Sequence, residues 1–150
     1  MANSVCDVLL TEKPLATAAS DSGSYTDVDL AAGAIVDFWG VVRELEDGRA
    51  IEGIEYEAHA KMAEHQMELI ATEGAEKFQL KGIVLHHRIG FVPAGEASLF
   101  LRLSAGHRAA AFEASKWVVD ELKKKVPIWK KPRFRGEAQR RAADTAATTV

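Results

Sequence analysis

A run of cationic side chains near the end of the chain is its most informative chemical feature. The 150-residue protein has a formal net charge of -3, which makes a local excess of positive charge conspicuous. Seven cations fall within residues 123–135: Lys123, Lys124, Lys125, Lys130, Lys131, Arg133 and Arg135. Positive charge concentrated in a slightly acidic protein predicts that an anionic ligand is bound at one place.

Two of these lysines are candidates for a reactive pocket. Lys123 falls in the last turn of a predicted helix, and Lys130 follows the proline that ends this helix, so the chain bends between them. Both amines could converge on one pocket, with Trp129 as a wall that excludes water and makes an amine a better nucleophile or proton shuttle. The alternative is a solvated helix end, which is the preferred interpretation for Lys124 and Lys125.

A second cationic pair, His107 and Arg108, opens the same predicted helix after Ser104-Ala-Gly. A helix N-terminus attracts anions, and an adjacent His and Arg would reinforce a phosphate site there. A polar helix entrance without a ligand explains the pair equally well. Arg43 ends an apolar segment and becomes functional only if it reaches the same pocket.

The histidines and the single cysteine give no convincing metal site. His86 and His87 are neighbours on a predicted strand and face opposite sides, so we expect one to be packed and one exposed. His59 and His65 lack the spacing of helical metal ligands. Cys6 is the only cysteine, which excludes an internal disulfide and a cysteine-based zinc site. We therefore expect neither a metal nor a cofactor.

Length and composition indicate one globular domain. We expect it to span residues 1–136, with residues 137–150 as a flexible tail, because this last segment contains little apolar bulk. A lone cysteine predicts a reducing compartment. No apolar run approaches the roughly 20 residues that span a bilayer, and the N-terminus lacks the features of a signal peptide. The sequence therefore predicts a cytoplasmic protein without membrane contact.

Hydrophobic periodicity predicts six strands and two main helices. The strands are expected at residues 5–10, 33–43, 51–58, 82–89, 97–104 and 128–134, and the helices at residues 60–78 and 108–125. Residues 26–32 are expected to form a further short helix. We expect residues 33–43 to be largely buried and to form a hairpin with residues 51–58, and residues 82–89 to pair with residues 97–104. Hairpins separated by two helices indicate an α+β fold with a mainly antiparallel sheet.

Taken together, these segments resemble the large, catalytic subunit of molybdopterin synthase. The His-Arg helix start in Ser104-Ala-Gly-His-Arg108, followed by Pro127-Ile-Trp-Lys-Lys131, is a specific combination of motifs. The matching stretches, which run in family order over most of the chain, are residues 33–43, 45–49, 53–58, 87–90, 95–97, 104–108, 111–114 and 127–131.

The resemblance implies an α/β-hammerhead fold and a role in molybdenum cofactor biosynthesis. Proteins of this family insert two sulfurs into cyclic pyranopterin monophosphate, which gives the dithiolene of molybdopterin. The sulfur comes from a thiocarboxylate at the Gly-Gly C-terminus of a small ubiquitin-like sulfur-carrier subunit, whose tail threads into the large subunit. The resemblance further implies a central homodimer with a small subunit at each end, a heterotetramer, and no nucleic-acid partner.

The resemblance also assigns roles to individual residues. It implies that Lys123 is the central catalytic residue and that Lys130 assists it. Substrate-binding positions of the family fall on Val41, Val42, Arg43, His107, Arg108, Lys131 and Pro132. Pro132 stands where the family commonly has an acidic residue, and proline offers no backbone donor for a phosphate. The segment after Arg135 lacks the Trp-rich ending that is usual in the family.

Two other functions remain open at this point. The first is a non-catalytic module that binds RNA or another polyanion through residues 123–135, with Trp129 and Phe134 as stacking platforms. The second is a degenerate large subunit that keeps its dimer and partner contacts without activity, which the altered tail alone supports.

Overall fold

The computed structural model describes residues 5–15 and 29–136. Within them the chain forms, in order, β1 (Cys6–Thr11), β2 (Ala34–Val41), β3 (Leu45–Glu46), β4 (Arg49–Ala58), α1 (Ala60–Lys77), β5 (Gly82–Arg88), β6 (Gly90–Pro93), β7 (Ala97–Ala105), α2 (Arg108–Lys125) and β8 (Ile128–Phe134). Residues 137–150, the expected tail, lie outside the described residues. So does most of the short helix expected at residues 26–32, whose described part forms a turn.

The strands form two sheets. The first sheet has the order β1-β5-β7-β2, in which only the β1–β5 pair is parallel. In the second sheet, β4 pairs antiparallel with β3, β6 and β8. Two helices and mostly antiparallel pairing confirm the predicted α+β class.

The main core lies between the first sheet and the two helices. The central strand β7 contributes Leu99, Leu101 and Leu103, which lie on one face as the alternation predicts. The helices contribute residues at helical spacing, which are Ala63, Met67, Ile70 and Ala71 from α1 and Ala111, Ala114, Val118 and Leu122 from α2. The predicted hairpin of residues 82–89 and 97–104 is confirmed as the β5–β7 pair.

The predicted hairpin between residues 33–43 and 51–58 is wrong. β2 pairs instead along β7, with Ala34 opposite Ala105. Beyond β2 the chain is diverted at Val42, whose N–H donates to the Glu96 carbonyl (3.0 Å) and whose carbonyl accepts from Gly95 (2.8 Å). Only the two-residue strand β3 pairs with β4, so the Asp47-Gly48 turn connects a much shorter hairpin.

The prediction that residues 33–43 are largely buried is also wrong for a single chain. β2 is an edge strand of its sheet, and Ile35, Phe38 and Trp39 remain 37%, 38% and 38% exposed. Only Ala34 and Val36 of this strand pack against the main core. β2 therefore presents apolar surface that a single chain leaves uncovered.

A smaller core holds the second sheet together. Val42, Ile51, Ile54, Tyr56 and Val92 are buried in it, and Ile128 and Phe134 of β8 pack against them. A register shift between Ile51 and Gly53 places Ile51 with Ile54 and Tyr56, instead of on the opposite face that simple alternation predicts. This core fixes β8, and with it the position of Lys130, against β4.

Among the helices of the described residues, none is long and apolar enough to cross a bilayer.

The contact between β4 and β6 leaves no room for a side chain at Gly53. A Cβ there would overlap the carbonyl oxygen of Val92 and lie 2.6 Å from the Phe91 ring. We expect Gly53→Ala to lower the free energy of unfolding by about 1–3 kcal/mol, because the two strands must separate. Urea unfolding would measure the loss. Gly106→Ala is the control, since nothing lies within 4 Å of its added Cβ, and equal stability of the two variants would contradict the prediction.

Candidate active site

A cavity of about 450 Å³ lies where the end of α2 and the start of β8 meet both sheets. Its walls are mostly apolar, and its volume falls in the range of about 300–1,000 Å³ that is common for small-molecule sites. It is lined by Phe38, Gly40 and Val41 of β2, Tyr56 of β4, His87 of β5, Ser98 and Leu99 of β7, Val119, Leu122 and Lys123 of α2, and Val126, Ile128 and Lys130 after it.

Both candidate lysines lie at the exposed rim of this cavity. Lys123 is in the last turn of α2, the helix ends before Val126, and β8 then returns the chain so that Lys130 lines the same space. Trp129 does not line the cavity and is 57% exposed, so the expected tryptophan wall is wrong. Neighbours on a strand face opposite sides, and Lys130 therefore turns inward while Trp129 turns outward.

Three of the five remaining cations of the basic run pair with carboxylates. Lys131 pairs with Glu57 at 3.0 Å, and Arg133 pairs with Glu55 at 3.1 Å, across the β4–β8 ladder. Lys125 pairs with Glu121 at 2.7 Å. Pro132 lies opposite Ile54 and outside the cavity. Lys123 and Lys130, in contrast, have no ion-pair partner in the described part of the chain.

The three consecutive candidates after β2 have different surroundings. Val41 lines the cavity and is 52% exposed. Val42 is buried in the smaller core, so its side chain cannot touch a ligand. Arg43 is exposed and follows Val41 by two residues, but it does not line the cavity within this chain.

His107 and Arg108 lie at the other end of α2. His107 is the N-cap of the helix without a side-chain capping bond, and both residues are exposed. At a helical rise of about 1.5 Å per residue, Arg108 and Lys123 are roughly 22 Å apart along the axis. One chain therefore does not bring this cationic pair to the two lysines.

A set of uncharged polar groups forms the inner part of the cavity. The Tyr56 hydroxyl donates to Ser98 Oγ (3.2 Å), and the Ser98 hydroxyl donates to the Gly40 carbonyl (3.4 Å). His87 Nδ1 lies 2.8 Å from the Arg88 carbonyl, and the His87 ring meets Tyr56 edge-on with centroids 5.4 Å apart. A carbonyl only accepts, so Nδ1 carries the ring proton.

The surroundings of His87 and Tyr56 keep both groups neutral. Burial is the main reason that the pKa of His87 falls from 6.5 to about 4; the bond to the Arg88 carbonyl opposes this shift, and the charge of Lys130 adds to it. Burial also raises the pKa of Tyr56, an effect that the bond with Ser98 partly offsets. At neutral pH the inner part of the cavity is therefore uncharged, and the two lysines carry the positive charge at its rim.

Comparison with known proteins decides the family. A family model described as MoaE protein matches residues 10–125. The chain belongs to the MoaE family. It is 48% identical over 113 residues to a molybdopterin synthase catalytic subunit of Oryza sativa subsp. indica, a match that covers 74% of this chain and 58% of the rice protein. A Pyrococcus abyssi protein of the same name is 44% identical over 101 residues, with 67% and 68% covered. The chain thus spans little more than half the length of the rice relative.

Solved structures confirm the fold of this MoaE-family chain. Molybdopterin synthase from Staphylococcus aureus superimposes with a TM-score of 0.74 at 31% identity, over 84% of this chain and 90% of that chain. A protein–protein complex of subunits 1 and 2 of molybdopterin-converting factor from Helicobacter pylori 26695 has a TM-score of 0.63, over 89% and 91%. At 20% identity this second likeness shows the fold alone.

Sequence reasoning missed the inner residues of the MoaE-family cavity. Tyr56 and Ser98 are ordinary strand residues whose contact spans 42 positions, so no local pattern marks them. The prediction that one of His86 and His87 is packed and the other exposed is wrong, because both are partly buried. His86 packs against Phe100 and lies 3.3 Å from Asp7. Across the described ranges, no group of three or more His, Cys, Asp or Glu residues could hold a metal ion.

The lowered pKa of His87 predicts a pH-dependent stability. His87 binds a proton near pH 6.5 in the unfolded chain and only near pH 4 in the folded chain. The stability that its neutral form contributes is therefore complete above pH 6.5 and is lost as the pH falls from 6.5 to about 4. The shift corresponds to roughly 3 kcal/mol in the free energy of unfolding. Urea unfolding between pH 7 and pH 4 should show a weaker pH dependence in His87→Phe than in wild type.

His86→Phe provides the matched control for this measurement. His86 is the neighbour of His87 on β5 but does not line the cavity. The difference between the two variants isolates the part of the pH dependence that belongs to His87. If His87→Phe shows the same pH dependence as wild type between pH 7 and pH 4, folding does not lower the pKa of His87, and the prediction is wrong.

Proposed function

We propose that this MoaE-family chain transfers sulfur from a thiocarboxylated small subunit to cyclic pyranopterin monophosphate, and so makes the dithiolene of molybdopterin. The observation that carries this proposal is the placement of Lys123 and Lys130, from two different elements, at the rim of one apolar-walled cavity. The names of the relatives agree with this function. The Helicobacter structure is a complex of subunits 1 and 2 of molybdopterin-converting factor, which supports a small-subunit partner.

The cavity suits an anionic sulfur donor. A thiocarboxylate carries negative charge, and two amines that have no ion-pair partner among the described residues can hold it. Apolar walls reduce the local dielectric, which strengthens the attraction between these charges. Lys123 would orient the thiocarboxylate and stabilise the charge that develops as its sulfur attacks a side-chain carbon of the pterin.

Lys130 would assist the same step as a proton donor. The new carbon–sulfur bond displaces an oxygen from the substrate, and this oxygen leaves more readily when it is protonated. Water must then cleave the bond between the sulfur and the acyl carbon. The sulfur stays on the pterin, and the small subunit is released with an ordinary carboxylate. A second thiocarboxylated small subunit must supply the other sulfur of the dithiolene.

The phosphate of the substrate requires cations that one chain does not bring to the cavity. Arg43 lies just beyond Val41 at the rim, whereas His107 and Arg108 are at the far end of α2. We propose that a homodimer supplies His107 and Arg108 from the second copy. The exposed apolar residues of the edge strand β2 support such a contact, because single chains rarely leave contiguous apolar surface uncovered.

The other implied positions have smaller roles in this proposal. Val41 would contact the substrate as part of the wall. Val42 and Pro132 would only shape the backbone, since one is buried and the other lies outside the cavity. Lys131 is paired with Glu57 and would contribute only if the ligand broke this exposed ion pair. The cytoplasmic location stays a prediction from the sequence.

Mixed dimers test whether the site spans two copies. Lys123→Ala and Arg108→Ala homodimers should each have strongly reduced activity. After the two variants are unfolded together and refolded, heterodimers regain one intact site, and a measurable fraction of sulfur transfer should return. Activity that stays at the level of the separate variants, in samples shown to contain heterodimers, would place all required cations within one chain.

The structure removes the support for the polyanion-binding alternative. Three of the seven cations are paired with carboxylates, so residues 123–135 do not form a continuous basic surface. Phe134 lies under the Arg49 guanidinium, 3.9 Å from it, and is not an open stacking platform. The degenerate-subunit alternative rested on residues beyond 136, which lie outside the described part of the chain.

Reconstitution tests the proposed function. The purified chain is mixed with a thiocarboxylated small subunit and cyclic pyranopterin monophosphate, and molybdopterin is measured as its oxidised fluorescent derivative. The control omits the thiocarboxylate and supplies the small subunit with an ordinary C-terminal carboxylate. We expect product only with the thiocarboxylate. Absence of product with a folded chain and a competent partner would overturn the proposal.

A further inference from the structure

The hydrogen-bonding polarity of the cavity points to how it orients its ligand. The exposed rim carries Lys123 and Lys130, and an ammonium group only donates hydrogen bonds. The inner part carries Tyr56 and Ser98, which are buried, and His87, which is partly buried. The two regions therefore differ in charge. They also differ in hydrogen bonding, because the rim donates hydrogen bonds whereas the inner part can only accept them.

Every polar hydrogen of the inner part is already used. Gly40 and Arg88 offer carbonyl oxygens, which only accept, so the Ser98 hydroxyl and His87 Nδ1 must donate to them. The Ser98 proton is thereby used, and Tyr56 donates its own proton to Ser98 Oγ. What remains is acceptor capacity alone.

Two acceptor atoms are available to a ligand. His87 Nε2 receives no hydrogen bond from the described residues, and Tyr56 Oη has free lone pairs. The lowered pKa of His87 keeps Nε2 unprotonated at neutral pH. We call His87, Tyr56 and Ser98 the acceptor floor.

The walls above the acceptor floor favour a flat ligand. Phe38, Leu99 and Val119 line the same cavity and offer apolar surface to the faces of a ring. A ligand group without N–H or O–H donors would leave the Nε2 and Oη lone pairs without a partner in a buried setting, which is unfavourable.

We propose that the acceptor floor binds the N–H-bearing edge of a flat, uncharged heterocycle, while the lysine rim holds the anionic group that reacts with it or is attached to it. His87 and Tyr56 are then specificity-determining residues. The identification of this heterocycle as the pterin of the substrate rests on the proposed function. The direction of the hydrogen bonds is independent of the proposed function.

Two fluorescent probes with related bicyclic rings test this polarity. Pterin carries N–H donors, and 1,3-dimethyllumazine carries none on its pyrimidine ring. In fluorescence titrations at pH 7, we expect wild type to bind pterin at least about tenfold more tightly, which is the size expected for one or two hydrogen bonds. Equal affinities, or no measurable binding of pterin, would overturn the proposal.

Variants assign this discrimination to the acceptor floor. His87→Phe and Tyr56→Phe keep aromatic rings and remove the acceptors, so each should reduce the preference for pterin several-fold. His87→Gln, which can offer a carbonyl acceptor, should restore part of it. His86→Phe is the matched control and should keep the wild-type preference. A preference that survives in both His87→Phe and Tyr56→Phe would also overturn the proposal.

The reconstitution assay separates this inference from the proposed function. If wild type makes molybdopterin but does not discriminate between the probes, the acceptor floor is wrong and the function stands. If it discriminates but makes no molybdopterin with a competent partner, recognition of the heterocycle stands and the sulfur-transfer function is wrong.

Discussion

Lys123→Ala is expected to lower the rate of sulfur transfer by about 10²–10³-fold, the usual cost of removing one preorganised group that stabilises developing charge. Lys123 lies at the cavity rim on the last turn of α2 and makes no ion pair with the described residues. Its amine therefore contributes little to folding. Single-turnover formation of molybdopterin would measure the loss, and thermal unfolding would confirm that the variant is folded.

Lys124→Ala is the matched control for this prediction. Lys124 is the next residue on the same helical turn, and it is exposed and absent from the cavity lining. Its replacement removes the same charge from the same helix end but leaves the cavity lining unchanged. Activity should therefore stay within about twofold of wild type. Equal losses in the two variants would show that only the overall charge of the helix end matters.

Lys130→Ala is expected to have the second-largest effect, a loss of about 10²-fold in single-turnover rate if Lys130 protonates the leaving oxygen. The control is Arg133→Gln on the same strand, whose side chain faces away from the cavity and pairs with Glu55. This exposed pair contributes roughly 0–1 kcal/mol to stability, and its loss should hardly change the rate.

Separate measurements of rate and affinity refine the assignment of Lys130. If Lys130 donates a proton, Lys130→Ala should lose rate at a saturating concentration of the small subunit, with little change in affinity. A weaker affinity for the small subunit with an unchanged saturated rate would assign Lys130 to holding the thiocarboxylate, and not to proton transfer.

The parts of the fold that depend on local signals could be predicted from the sequence. α2 spans Arg108–Lys125 as expected, because its apolar spacing, its lysine-rich last turn and Pro127 all mark its limits. The β5–β7 hairpin was also predictable, because the two strands are close in sequence and have matching alternation. In both cases the deciding interactions lie within or between neighbouring segments.

Non-local pairing could not be predicted in this way. The partner of β2 is β7, more than fifty residues later, whereas the sequence offered a nearby turn that favoured β4. The inner part of the cavity has the same origin, because its hydrogen bonds join Tyr56, Ser98 and Gly40 from three different strands. The local cationic pattern, in contrast, was sufficient to indicate both rim lysines.

Cross-link mapping between the chain and the proposed small subunit tests the central claim most directly. A zero-length carbodiimide reagent joins a carboxylate to an amine in contact with it, so the C-terminal glycine of the small subunit should be linked to Lys123 or Lys130, as identified by mass spectrometry of the digested complex. Lys124 and Lys131 serve as internal controls, because they lie close in sequence but outside the cavity. Links confined to Lys124, Lys131 or other lysines away from the cavity would contradict the assignment of this cavity as the site of sulfur transfer.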